Sequence, residues 1–280
     1  APLVAFKQGQ YLSDVITGFG GAAPEFKQEN ALEDVTKLPG FKNQVDGAND
    51  PDGKWAALRL RYWCIGYNTK AIKAADLPKT WDDLLTSPAL RDGALGIGNR
   101  PQLWLLMLRT EKGKEWTEDF TRRFFTTVKP QFRNEGMDAV IAILAAGEIH
   151  AALPIPEYNA KVFEQKGAPI DEAFFAPATT GAIIAGISKK APHPAIASLL
   201  MNFVLTPQGQ SILNKDNFSP LPNVPGTRTD NPSMSEVTDA AAVPVLERPT
   251  VTWFGVGGLD GVQLRFEALG RVASAGKTVR

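Results

Sequence analysis

Segments typical of β-strands alternate along this chain with segments typical of α-helices. A buried strand is predicted at 94–97, and a short polar loop then leads to a helix with Pro101 at its first position. A second helix ends at Gly147, and a strand follows at 149–153. Such alternation is typical of α/β folds in which the strands pair largely in parallel. The sequence therefore predicts an α/β protein.

Two further helices are marked by their start and stop residues. Thr80 and Asp83 have the spacing of a capping box. Pro194 lies at the start of a predicted amphipathic helix and Pro207 past its end, and the apolar stripe of that helix consists of Ile196, Leu199, Leu200, Phe203 and Val204. The aromatics at 116, 120 and 124 repeat at helical spacing and predict core packing.

Composition excludes several classes of function. The 280 residues include 30 basic and 30 acidic side chains, so no net charge attracts nucleic acid or a membrane surface. The apolar runs are too short to cross a bilayer, and we expect that any leader has been removed. The sequence has no P-loop, GxGxxG, HExxH or GxSxG motif, and no cofactor is expected.

The stretch RLRYWCIGYNTK, residues 59–70, predicts a buried strand that carries two arginines. Period-2 alternation puts Arg59, Arg61 and Trp63 on one face, and Tyr62 and Cys64 on the other. A guanidinium keeps its charge, so on an apolar strand it needs an anionic partner or a route to water. That partner is either a neighbouring carboxylate or a bound ligand.

Three phrases in this order resemble the type 2 periplasmic solute-binding proteins of ABC transporters, the class that includes ferric-iron, thiamine, polyamine and phosphonate binders. They are DGKWAALRLRYWCIGYNTKAIKAADLPKTWDDLL, AILAAGEIHAALPIPEYNAKVFEQKGAPI and APHPAIASLLMNFVLTPQGQSIL, within residues 51–213. The resemblance implies two α/β lobes that close on a ligand in a cleft by hinge motion. By analogy, one lobe comprises 1–69 plus 178–280, and the other comprises 70–177.

The family's opening strand, helix and second strand have no counterpart upstream of Ala1. The resemblance therefore implies that ligand contacts supplied by that part are missing from the sequence.

Several residues match places where the family binds its ligand. Arg61 corresponds to an arginine that faces the cleft and meets an anion in iron-binding relatives, while Arg59 is additional and an ion pair is its alternative role. Trp63 is predicted either to stack on an organic ligand or to pack in the core. Guanidinium groups favour carboxylate or phosphonate, so the strand indicates an anionic ligand group.

Polar residues at two helix starts are further candidates. Asn99, Arg100 and Gln102 follow the strand at 94–97, where relatives offer hydroxyl or amide donors. Arg133 and Asn134 precede the next helix and are predicted to reach the same cleft. A surface turn and a solvated helix cap are the alternatives for the two groups.

Tyr158 matches a loop in which iron-binding relatives have two adjacent tyrosines as Fe(III) ligands. Here the loop reads Glu157-Tyr158-Asn159, with a single tyrosine. Fe(III) requires several anionic oxygens, so one phenolate favours an organic ligand and no metal. If iron is bound, its ligands are expected to be Tyr158 and Glu157, supplemented by the missing segment or by Tyr11.

These observations predict a periplasmic solute-binding protein of an ABC importer rather than an enzyme. We expect it to capture a small polar, anionic organic ligand in the interlobe cleft and to deliver it to a membrane permease, as a monomer that does not insert into the membrane. One alternative is Fe(III) binding with a synergistic anion on Arg61. Others are a fragment without ligand function, and an enzyme or sensor such as a thiaminase-like hydrolase. For the enzyme, the only cysteine, Cys64, has no histidine near it in sequence.

Overall fold

The computed structural model describes residues 2–45, 48–98, 104–175 and 178–228, and it divides the chain into two compact units. Within the described residues, unit 1 comprises 2–61 and 181–228, and unit 2 comprises 62–180. The lobe boundaries predicted from the family remain a prediction. No helix among the described residues is long and apolar enough to cross a bilayer.

Seven strands and nine α-helices are described. The strands are β1 Val15–Phe19, β2 Ala56–Asn68, β3 Leu95–Gly98, β4 Gln131–Arg133, β5 Ala151–Pro156, β6 Ile170–Ala173 and β7 Thr179–Ile187. The helices are α1 Pro2–Lys7, α2 Ala23–Gln28, α3 Trp81–Leu84, α4 Leu105–Lys112, α5 Lys114–Arg123, α6 Met137–Ala146, α7 Glu157–Gln165, α8 Pro194–Val204 and α9 Pro207–Leu213. β2 and β7 each contribute residues to both units.

In unit 1 the strands follow the order β1, β7, β2, and β1 pairs antiparallel to β7 with Val15 opposite Ile187. Helix α8 packs on this sheet through the face that carries Ala197 and Met201. These two side chains belong to a buried cluster with Ala56 of β2 and Ala185 of β7. The predicted start of this helix at Pro194 is confirmed. The predicted apolar stripe of α8 is largely exposed instead: Ile196 is 63% exposed and Leu199 is 69% exposed.

A buried polar network connects α9 to β2 in unit 1. The amide of Gln210 donates to the Val204 carbonyl at 2.6 Å and accepts from Asn214 Nδ2 at 2.6 Å and from Ser219 Oγ at 2.9 Å. Asn214 Nδ2 also donates to the Leu58 carbonyl at 2.7 Å. Gln210, Asn214 and Ser219 are fully buried, so these bonds satisfy groups that water cannot reach.

In unit 2 the strands follow the order β2, β5, β3, β4, and β6 also pairs with β2. β3 is parallel to β4 and β5, whereas β2 is antiparallel to β5 and β6. The prediction of largely parallel pairing is therefore wrong for the sheet as described and holds only around β3. Sequence alternation gives no sign of strand direction at β2, whose partners are 83 or more residues away along the chain.

The helices of unit 2 bury an aromatic core. The rings of Trp81 and Trp104 are stacked with centroids 5.1 Å apart and planes 11° apart. Phe120 meets both rings edge-on, and Phe124 meets Trp104 in the same way. The predicted core role of the aromatics at 120 and 124 is confirmed, since both side chains are at most 1% exposed.

Predicted boundaries in unit 2 are close to those observed. The capping box is confirmed: Asp83 N donates to Thr80 Oγ1 at 3.1 Å, and Thr80 N donates to Asp83 Oδ2 at 3.0 Å. The strand predicted at 149–153 is observed as Ala151–Pro156. It begins later because the turn continues through His150, and it extends further because Pro156 lies opposite Trp63 of β2.

Candidate functional site

Three parallel strands of unit 2 end at one edge of its sheet. Gly98, the last residue of β3, lies opposite Arg133, the last residue of β4. β5 runs alongside β3 and ends at Pro156. The carboxyl ends of parallel strands are the usual binding edge of α/β sheets, and we call this edge the β3–β4–β5 edge. The predicted contacts Asn99, Arg100 and Gln102 directly follow β3 but lie outside the described residues.

The junction of β5 and α7 forms one end of this edge. Pro156 precedes the helix, and Glu157 is its first residue, where a carboxylate is favoured by the positive end of the helix dipole. The Glu157 side chain is fully buried, and its Oε2 accepts from the backbone N–H of Tyr62 at 3.0 Å. Glu157 therefore ties the start of α7 to β2.

The carboxylate of Glu157 contributes to a raised pKa of the Tyr62 phenol. Burial, and next the negative charge of Glu157, raise the pKa of the Tyr62 phenol to about 12. The ring is 6% exposed and packs edge-on against Phe174, with centroids 6.4 Å apart. Tyr62 therefore packs in the interior of unit 2. Its connection to Glu157 was missed, because 95 residues separate them and strand alternation gives no information about partners.

Tyr158 is partly exposed, whereas its two neighbours in sequence are buried. Asn159 Nδ2 donates to Asp138 Oδ1 at 2.5 Å, and Glu157 accepts from β2 as described above. The side chains of both neighbours thus make hydrogen bonds to other parts of unit 2. Tyr158 is therefore the most exposed residue of the three at this junction.

Arg133, predicted as a ligand contact, is paired within unit 2. Its Nη2 lies 3.0 Å from Glu135 Oε1, and its Nη1 donates to Gln131 Oε1 at 3.3 Å. The side chain is 18% exposed. A ligand anion at this guanidinium would have to share it with the Glu135 carboxylate.

A small cavity lies beside this ion pair. Its volume is about 20 Å³, room for roughly one water molecule. Gly98, Glu135 and Pro154 line it together with Met137, Val140, Leu153 and Ile155. Glu135 thus belongs both to the ion pair with Arg133 and to the lining of this cavity.

The arginines of β2 differ in their surroundings. Arg59 donates from Nε to Asn214 Oδ1 and from Nη2 to the Leu213 carbonyl, both at 2.7 Å, so it binds the end of α9. Arg61 is partly buried and is the last residue of the first segment of unit 1. Trp63 is 3% exposed and lies opposite Pro156, which favours a packing role over stacking on a ligand.

Tyr11, the additional residue considered for iron, lies in unit 1. It lines a cavity of about 340 Å³ together with Phe6, whose ring centroid is 5.5 Å from that of Tyr11. The ammonium of Lys190 lies 4.9 Å from the Tyr11 ring centroid. Among the residues described here, no group of three or more His, Cys, Asp or Glu side chains is arranged to hold a metal ion.

The fold defines a class of protein. A substrate-binding protein of an ABC transporter from Agrobacterium tumefaciens superimposes with a TM-score of 0.73 at 16% identity, covering 96% of this chain and 83% of that one. Iron-bound HitA from Pseudomonas aeruginosa gives 0.71 at 17%, covering 97% and 86%, and PotD from Streptococcus pneumoniae gives 0.70 at 16%, covering 95% and 87%. The chain has the fold of the type 2 periplasmic binding proteins, as predicted.

The family follows from the sequence itself. Residues 12–244 match the model of the family described as bacterial extracellular solute-binding protein, and the chain belongs to that family. Its members are substrate-binding proteins of ABC importers, which deliver a ligand to a membrane permease. The predicted family is confirmed.

Proposed function

We propose that this protein is a periplasmic binding protein that captures a small polar, anionic organic ligand for an ABC permease. The ligand binds at the β3–β4–β5 edge of unit 2. Tyr158 supplies a hydrogen bond there, and Asn99, Arg100, Gln102 and Arg61 are the predicted further contacts. Arg133 is a further predicted contact, whose guanidinium the ligand would share with the Glu135 carboxylate.

The arrangement at the start of α7 carries the proposal. Fe(III) requires several anionic oxygens, but the Glu157 carboxylate is buried and accepts a backbone hydrogen bond from Tyr62. Tyr158 is the partly exposed residue of the tripeptide Glu157-Tyr158-Asn159. A single phenol suits a hydrogen bond to a carboxylate or phosphonate better than the ligation of a ferric ion.

Fe(III) binding with a synergistic anion on Arg61 is the second candidate. It is supported by two proteins of similar fold, the iron-bound HitA and a Trichodesmium protein in complex with iron and citrate. Under this candidate Tyr158 ligates iron, with Glu157 or Tyr11 as additional ligands. A polyamine, the substrate named for PotD, fits less well, because the predicted contacts Arg61 and Arg100 would repel a cation.

A thermal-shift screen followed by calorimetry tests the proposal. The panel contains citrate, smaller dicarboxylates, phosphonates, putrescine and Fe(III). We expect the anions to raise the Tm and Fe(III) alone to leave it unchanged. Dominant stabilisation by Fe(III), together with a visible phenolate-to-iron absorption band, would establish the iron candidate instead.

Replacement of Tyr158 by Phe probes the contact directly. Loss of one hydrogen bond of about 1.5 kcal/mol to a charged ligand weakens binding roughly tenfold. Tyr67→Phe is the matched control, because the Tyr67 hydroxyl donates to Asp171 at 3.0 Å and the ring is buried, so its removal affects stability and leaves affinity unchanged. Equal affinity of the wild type and Tyr158→Phe would argue against this site.

A further inference from the structure

Five large apolar side chains on α8 and α9 are exposed on the surface of unit 1. Their exposed fractions are 63% for Ile196, 69% for Leu199, 49% for Leu200, 43% for Phe203 and 68% for Ile212. We call them the α8–α9 face. Other strongly exposed large apolar residues in the described part of the chain are Val4, Leu12 and Val162, which belong to other elements. The clustering on two neighbouring helices is what distinguishes this face.

The stretch of sequence that carries the face contains no formally charged residue. Between Lys190 and Lys215 the sequence contains no Asp, Glu, Lys or Arg, and His193 is the one titratable side chain. Charged residues make up 21% of the whole chain, so a run of 24 uncharged or histidine positions is a clear departure. Depletion of charge around exposed apolar residues is the compositional feature of the buried centre of protein interfaces.

The face is exposed because α8 packs through its other side. Ala197 and Met201 are each 1% exposed, and they are the side chains through which α8 packs on the sheet. α8 and α9 are also close, since a Cβ on Gly209 would lie 2.2 Å from the Phe203 carbonyl oxygen. Within the part of unit 1 that the structure describes, the larger side chains thus lie outside the buried core.

The spacing along α8 makes the stripe self-complementary. Positions 196, 199, 200 and 203 are symmetric about the point midway between Leu199 and Leu200. A second α8 that runs antiparallel across a two-fold axis at that point brings Ile196 against Phe203 and the leucines against each other. Ridges at these spacings pack with helix axes about 8–10 Å apart. An interface of this type uses the same patch on both copies.

The area of the face is consistent with such an interface. A large apolar side chain offers roughly 180 Å² when fully exposed, so the five together expose on the order of 500 Å². That is near the upper end for one patch on a monomer, and it supplies more than half of the about 800 Å² per partner of a standard interface. We propose that the α8–α9 face docks on the same face of a second copy of this chain. Under this proposal the protein is a dimer, whereas a monomer is expected from the sequence.

Sedimentation velocity of the full chain at concentrations from about 1 to 100 µM tests the dimer. We expect a concentration-dependent shift from monomer to dimer for the wild type. Leu199→Glu puts two carboxylates next to each other at the two-fold axis, and we expect it to weaken dimerisation by at least about 100-fold. Val162→Glu on α7, where Val162 is 41% exposed, is the matched control and should dimerise like the wild type.

A cross-linking experiment covers the case in which Leu199→Glu does not fold. Leu199→Cys should form a covalent dimer with a short bifunctional maleimide, whereas Val162→Cys should not, and the native Cys64 is 1% exposed and should not react. A wild type that stays monomeric, or a dimer unaffected by Leu199→Glu, would overturn the proposal. A lower Tm for Leu199→Glu without any change in mass would show that another part of the chain covers the face.

Discussion

The polar network around Gln210 allows a sharp test of what stabilises unit 1. Gln208 and Gln210 lie two residues apart on α9, but Gln208 is exposed and Gln210 is fully buried. The substitutions Gln208→Ala and Gln210→Ala are chemically identical and similar in helix propensity. Any difference between them therefore measures the buried contacts of Gln210.

The magnitude follows from the bonds that are lost. Gln210→Ala removes three hydrogen bonds, to Val204, Asn214 and Ser219, each of about 1 kcal/mol. It also leaves their polar groups buried without this partner, which adds to the cost. We expect Gln210→Ala to lower the free energy of unfolding by about 3–5 kcal/mol, and Gln208→Ala to change it by less than about 0.5 kcal/mol.

Urea unfolding monitored by far-UV circular dichroism measures both variants. The expected result is a lower midpoint for Gln210→Ala with an unchanged slope, because the area exposed on unfolding stays the same. If the two variants unfold within about 1 kcal/mol of each other, the network does not stabilise unit 1 as the geometry indicates.

Three further predictions concern unit 2. Thr80→Ala removes the capping box with Asp83 and should cost about 1 kcal/mol near neutral pH by urea unfolding. The Thr80 hydrogen bond lowers the Asp83 pKa from 3.8, so the effect of the substitution should shrink as the pH falls through that lowered pKa; an effect that is independent of pH would contradict this. Burial, and next the negative charge of Glu157, raises the Tyr62 pKa from 10 to about 12. The neutral phenol of Tyr62 therefore contributes its full share to the stability of the folded protein below pH 10, and this share is lost as the pH rises towards 12. Absorbance at 295 nm should show a tyrosine that ionises only near pH 12. Cys64→Ala should leave solute binding intact, since the thiol is buried and donates to the Ile155 carbonyl, and loss of function would support an enzyme.

Local signals in the sequence predicted the elements well. The capping box at Thr80, the helix start at Pro194 and the aromatic spacing of α5 each depend on residues within a few positions of one another. Such signals determine where a helix begins and which residues share its face. They do not determine which face is covered, and the stripe of α8 shows this, because Ala197 and Met201 pack inwards while Leu199 is exposed.

The candidate site depends on contacts over long sequence distances. Glu157 meets Tyr62 across 95 residues, and Arg59 meets Asn214 across 155. Neither partner is visible in the alternation of β2, which shows only that its arginines share a face. The family resemblance located Tyr158 after β5, but the inward bonds of its neighbours emerged only from the packing of α7 against β2 and α6.

The stacked indoles of Trp81 and Trp104 have a spectroscopic consequence. At 5.1 Å and nearly parallel, their excited states couple, and the near-ultraviolet dichroism of the pair depends on how the two rings are oriented. Trp63 and Trp116 also belong to unit 2, whereas Trp55 belongs to unit 1. The near-ultraviolet dichroism of the tryptophans therefore reports chiefly on unit 2. A denaturation curve from this signal can be compared with one from far-ultraviolet backbone dichroism to tell whether the two units unfold together.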